Sequence, residues 1–147
     1  MKDLKYLMSY SIAIMAFLGI SIGGFYNYLA VIYTFVFIPV LEVLVKRSDE
    51  KYTEQEKTNR LLDPFFDILL YLNIPIVFGI FFFSLDKLIL TTSISDIVGI
   101  ILSASIVMAT NGINVGHELG HRRSLFARTC SKLLYLPCQY MHFYIEH

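Results

Sequence analysis

Between Lys5 and Glu42 the chain runs for 36 consecutive residues without a charged side chain. One helix of that length would rise about 54 Å, far beyond a hydrocarbon core of about 30 Å. The run must therefore fold back on itself. Its most polar and flexible part is Gly23-Gly24 through Asn27, which places the reversal there and predicts a hairpin of two spans, 7–23 and 28–45. The run is also too long for the 7–15-residue core of a signal peptide. Composition agrees with a membrane protein. Hydrophobic residues make up 56% and charged residues 16%, against about 45–50% and about 25% in soluble domains.

The rest of the chain extends the pattern. Lys46 to Asp63 is a charged, hydrophilic connector. Pro64 opens a third span, 65–85, at a position where a helix start tolerates proline, and Pro75 inside it is a candidate kink. A polar link from Asp86 to Asp96 leads to a fourth span, 97–116. Beyond His121 the chain turns basic. The stretch 133–145 is apolar but too short to cross, which marks it as interfacial or re-entrant. The expected fold is an all-α integral membrane protein: four transmembrane helices (the hairpin 7–45, then 65–85 and 97–116) and a cytoplasmic or interfacial C-terminal segment, all in one membrane domain over 1–147. Four crossings put eleven of the twelve Lys and Arg residues on one side and Lys87 alone on the other. That asymmetry makes the crowded side, with the N-terminus, cytoplasmic. Twelve basic residues balance twelve acidic ones, so no basic excess exists to neutralise nucleic-acid phosphates. Cys130 and Cys138 are too few for a disulfide framework or a four-cysteine metal site, and they are read as reduced and incidental.

The informative stretch is Asn111 to His121, NGINVGHELGH. At about 100° per residue, Asn111, Asn114, His117, Glu118 and His121 share one arc, while Gly112, Gly116 and Gly120 fall opposite. One face thus carries metal-binding and hydrogen-bonding groups. The other is a seam of small residues that lets a neighbouring helix approach closely. Ionisable groups at the end of a span are costly and usually functional, and two histidines at i and i+4 aim two imidazoles at one point. By itself, His117-Glu118-Leu119-Gly120-His121 is also the H-E-x-x-H signature of zinc proteases, in which the Glu is a general base, so an intramembrane metalloprotease is the alternative. The Leu-Asp-Gly and Asn-x-x-Pro-x-x-Asp-Gly elements carried by intramembrane proteases do not occur in this sequence. Histidines at the ends of membrane helices instead suit iron that meets both O2 and an apolar substrate.

Gly112-Ile113-Asn114, then His117-Glu118-Leu119-Gly120-His121, then His142-Phe143-Tyr144-Ile145-Glu146-His147 closely resemble the integral-membrane alkane 1-monooxygenases, part of the wider group of membrane di-iron desaturases and hydroxylases. The first histidine box of that family reads like G-I-N-x-x-H-E-L-x-H and the second like E-H-x-x-G-H-H. The resemblance implies His117 and His121 as iron ligands from box one and His147 as the first ligand of box two. It implies Glu118 and Glu146 as groups that orient the imidazoles; His142 matches no ligand position. The implied activity is O2-dependent terminal hydroxylation of n-alkanes to 1-alcohols at a di-iron centre. Rubredoxin and an NAD(P)H–rubredoxin reductase would supply electrons, in the cytoplasmic membrane of a bacterium, with the metal site on the cytoplasmic face. Related fatty acyl desaturases and hydroxylases are the near alternative. Because later histidines of the family fall outside this sequence, the chain is expected to be the N-terminal part of a longer enzyme and inactive alone.

Overall fold

The computed structural model describes residues 7–45 and 64–142. The connector expected over 46–63, and Glu146 and His147 with their neighbours, lie outside the described residues. All regular structure among the described residues is helical. A 3-10 turn over 7–10 leads into α1 (Ser11–Ile22). It is followed by α2 (Gly24–Leu44), α3 (Pro64–Leu90), α4 (Ile94–Gly120) and α5 (Leu125–Tyr135). Of the four expected spans, α2, α3 and α4 are long and apolar enough to cross a membrane. The first, Leu7–Ile22, is equally apolar but shorter, rising about 24 Å.

The chain reverses where the glycines allow it. Gly23 and Gly24 have φ of +82° and +61°, a left-handed backbone that costs glycine little and other residues more. The link between α3 and α4 is much tighter than Asp86 to Asp96: it comprises only residues 91–93. Charges read as loop residues belong to the helix ends. Lys87 lies in the last turn of α3 and Asp96 in the first turn of α4, where each complements the helix dipole. Thr91 Oγ1 donates to Lys87 O at 2.8 Å, and the Ser93 side chain accepts from the Asp96 amide at 3.5 Å. Pro64 is the first residue of α3, as expected. Pro75 lies within a helix that continues past it.

Small side chains bring the helices together. Ala13, Ala16, Ala30, Ile80 and Val107 form one buried cluster, and Val77, Leu119, Ala127, Cys130 and Leu134 form another. In lipid, where apolar surface alone does not drive association, such close contacts supply the packing energy. The outward faces carry large apolar side chains such as Phe35, Val43, Phe82 and Ile89.

The segment after His121 departs from the expected boundaries. A turn over 121–124, which holds Arg122 and Arg123, sends the chain back along α4, and the returning helix begins at Leu125 and ends at Tyr135, so it includes Arg128 and Lys132 of the basic stretch. Ala127, Cys130, Ser131, Leu134 and Tyr135 are its buried residues, a helical stripe at i, i+3, i+4, i+7 and i+8. Arg128 and Lys132 lie on the exposed side. Leu125–Tyr135 is a short amphipathic helix that lies against a longer one.

Candidate metal centre

The helix α4 is not uniformly α. Its segment Met108–Ile113 is a π turn, followed by an α-helical segment Asn114–Gly120 that carries His117, Glu118 and, at its cap, His121. The uniform 100° arc assumed from Asn111 onward is therefore interrupted before the histidines, because a π turn holds more residues than an α turn. Asn111 is buried and faces the bundle, whereas Asn114, Glu118 and His121 are exposed and His117 is half-buried.

His117 Nε2 and His121 Nε2 lie 3.1 Å apart, with the two rings at 89° to one another. Two nitrogens at that separation can both reach one cation at bonds of about 2.1 Å. Imidazole nitrogen suits iron and zinc alike, so the donor pair fits a metal without choosing it. Among the described residues no third His, Cys, Asp or Glu joins them.

Acidic and basic groups close the same end of the bundle. Glu118 lies 3.7 Å from the Arg122 guanidinium, which also contacts Asp67 of α3 at 3.1 Å. Arg122 thus ties the histidine-bearing turn to the start of α3. The groups are between 32% and 57% exposed, so each pair adds roughly 0.2–1 kcal/mol. Asp67, assigned no role from the sequence, is the α3 anchor of this link.

The glycine seam packs as expected, and its partner is the returning segment. A Cβ on Gly112 would sit 2.8 Å from Cys138 Sγ, and one on Gly116 would sit 3.0 Å from the Tyr135 ring. Ser131 Oγ donates to Gly116 O at 2.6 Å across the same seam. Cys138 is free, as expected, but not incidental: its Sγ lies 3.4 Å from Met108 O and 3.3 Å from Leu134 O. Burial pushes its pKa up to about 11, which keeps the thiol proton available to donate. No periodicity or motif in the sequence marks this cysteine, because its contacts depend on the chain reversing at 121–124.

Deeper along α4, Asn111 Nδ2 donates to Asn73 Oδ1 of α3 at 2.8 Å and to Ser9 O at 3.3 Å. Asn73 Nδ2 in turn donates to Leu69 O at 2.9 Å. Both amides are buried, and a pair of this kind between membrane helices adds on the order of 0.6–2 kcal/mol. Asn111 is thus a helix–helix contact rather than a group at the histidines. Asn73 was detectable only as an isolated amide in an apolar span.

The comparisons agree with the motifs. No family model matches the chain. Two curated relatives do. It is 30% identical over 129 residues to the alkane 1-monooxygenase of Pseudomonas putida, a match covering 85% of this chain and 31% of that protein. It is 30% identical over 114 residues to alkane 1-monooxygenase 1 of Alcanivorax borkumensis, covering 75% of this chain and 27% of the relative. Neither name supports the protease alternative. The chain is a membrane-protein relative of the alkane 1-monooxygenases, which are oxidoreductases, and it spans about a third of the length of those it matches.

Proposed function

We propose that this chain is the N-terminal part of a longer bacterial enzyme that hydroxylates n-alkanes at their terminal carbon. The net reaction is R–CH3 + O2 + 2e− + 2H+ → R–CH2OH + H2O. One oxygen atom enters the C–H bond and the other leaves as water. Rubredoxin, reduced by an NAD(P)H–rubredoxin reductase, is the proposed electron donor. The carrying observation is the convergence of His117 Nε2 and His121 Nε2 at 3.1 Å at the end of an apolar helix, in a chain related to enzymes named for this activity.

His117, His121 and His147 are the proposed ligands of a di-iron centre completed by later histidines, and Glu118 and Glu146 the groups that orient them. Iron, when bound, supplies the activation of O2. The residues of this chain hold the site in place. Helix α4 presents both imidazoles from one end, with their Nε2 atoms 3.1 Å apart. Arg122 holds that end against α3. An alkane dissolves in the bilayer and reaches the site from the apolar side. Placing the site on the cytoplasmic face, in the inner membrane, rests on the eleven-to-one distribution of basic residues and brings it to the soluble electron carrier.

Two experiments test this reading. The gene read past codon 147 is expected to continue with two variable codons and then Gly-His-His. The purified full-length protein, supplied with n-octane, O2 and reduced rubredoxin, is expected to form 1-octanol, and His117→Ala to abolish it. A continuation without those histidines, or 1-octanol formed equally by His117→Ala, overturns the proposal.

A further inference from the structure

The π turn Met108–Ile113 immediately precedes the segment carrying the histidines. It accommodates one residue more than an α turn. Every side chain beyond it is therefore turned by about 100° from where an uninterrupted α-helix would place it. The direction in which His117 and His121 point depends on this single surplus residue.

A π turn is rare and needs support, since side chains must serve a disrupted hydrogen-bond ladder. Here the support comes from several segments. Thr110 Oγ1 donates to Ile106 O at 2.8 Å and lies 2.9 Å from Asn111 Oδ1. Cys138 Sγ approaches Met108 O. Asn111 uses both amide protons, on Asn73 Oδ1 and Ser9 O, and Asn73 is anchored in turn on Leu69 O and Leu70 O. The flanks of the turn are fixed separately: Ser103 Oγ donates to Asn27 O on one side, and Ser131 Oγ donates to Gly116 O on the other.

We infer that Asn111 and Asn73 are positioning residues whose buried amide pair holds the π turn, and so sets the rotation at which α4 presents His117 and His121. The part of this inference that concerns the metal rests on the hydroxylase reading; the part that concerns the turn does not.

The test uses the full-length protein and two readouts. The first is alkylation of Cys138, mapped by mass spectrometry, which needs no metal: Cys138 fills the notch at Gly112 and becomes accessible if α4 rotates. The second is iron bound per chain. Asn111→Leu is expected to alkylate severalfold faster at Cys138 and to bind iron about 10–100-fold more weakly. Deleting the exposed Ala109 removes the surplus residue, so the deletion alone is expected to leave both readouts as in the wild type. Combined with Asn111→Leu it is expected to restore both, which a simple loss of stability would not allow. Unchanged Cys138 protection in Asn111→Leu, or no recovery on deleting Ala109, overturns the inference. If Asn111→Leu does not accumulate, Asn73→Leu is read in the same way, and if neither does, the deletion alone decides by whether Cys138 stays protected. Wild-type protein that lacks iron refutes the metal reading, while the alkylation series still tests the turn.

Discussion

Among the described residues two π turns lie in apolar helices, and they are supported very differently. Tyr33–Phe37 in α2 has no buried residue, and Phe35, Val36 and Phe37 point outward. Tyr33 OH donates to Ser11 Oγ at 3.0 Å, while the buried Thr34 hydroxyl has no partner. Met108–Ile113 in α4 buries Asn111 and Gly112 and is held by side chains from α3 and from the segment beyond α5. The same local geometry is thus tied to the bundle through one tyrosine hydroxyl in one helix and held by side chains from several segments in the other. The fixed turn is the one that aims two imidazoles.

The largest contrast is at the imidazoles themselves. His117→Ala and His121→Ala are each expected to reduce iron in the full-length protein to background, as measured by elemental analysis, because two ligands of one cation do not act independently. At the turns, Asn111→Leu and Thr34→Val should separate the two regions. Asn111→Leu strands a buried amide on Asn73 at a cost of about 1–3 kcal/mol. Thr34→Val removes an unpartnered hydroxyl and is expected to leave thermal stability unchanged or slightly raised. A comparable loss in both variants would erase the distinction.

On the seam, Gly112→Val pushes against Cys138 Sγ at 2.8 Å. It should destabilise the packing of α5 by about 1–3 kcal/mol, read as a lowered melting temperature. A smaller effect is a pH dependence at Cys138. The fold favours the neutral thiol, whose pKa is raised from the ordinary 9.0 to about 11. The stability it confers is therefore full below about pH 9 and is lost as pH rises through about 11, and Cys138→Ala should flatten that part of the pH–stability curve. A small loss is expected for Arg122→Ala, which breaks two partly exposed ion pairs worth roughly 0.2–1 kcal/mol each.

Much of the architecture was readable because membrane spans obey a simple rule of length and charge. The reversal at Gly23-Gly24, the start of α3 at Pro64 and the glycine seam all follow from local chemistry. The parts that escaped are those set by tertiary contact. Lys87 and Asp96 look like loop residues until the dipoles at the ends of α3 and α4 account for them. The helix Leu125–Tyr135 has a buried face only because α4 offers glycines opposite it. The π turn bears no sequence signature, since both flanks read as ordinary helix, and it alters the phase at which Asn111 and the histidines are displayed. His117 and His121 were legible because four residues is close to one helical turn with or without knowledge of the bundle.

The proposed hydroxylase requires His117 and His121 to hold iron. Elemental analysis of the purified full-length protein, beside its His117→Ala and His121→Ala variants, tests it most directly. Iron is expected in the wild type and is expected to be lost from both variants. Zinc without iron in the wild type, or iron retained in both variants, would contradict it.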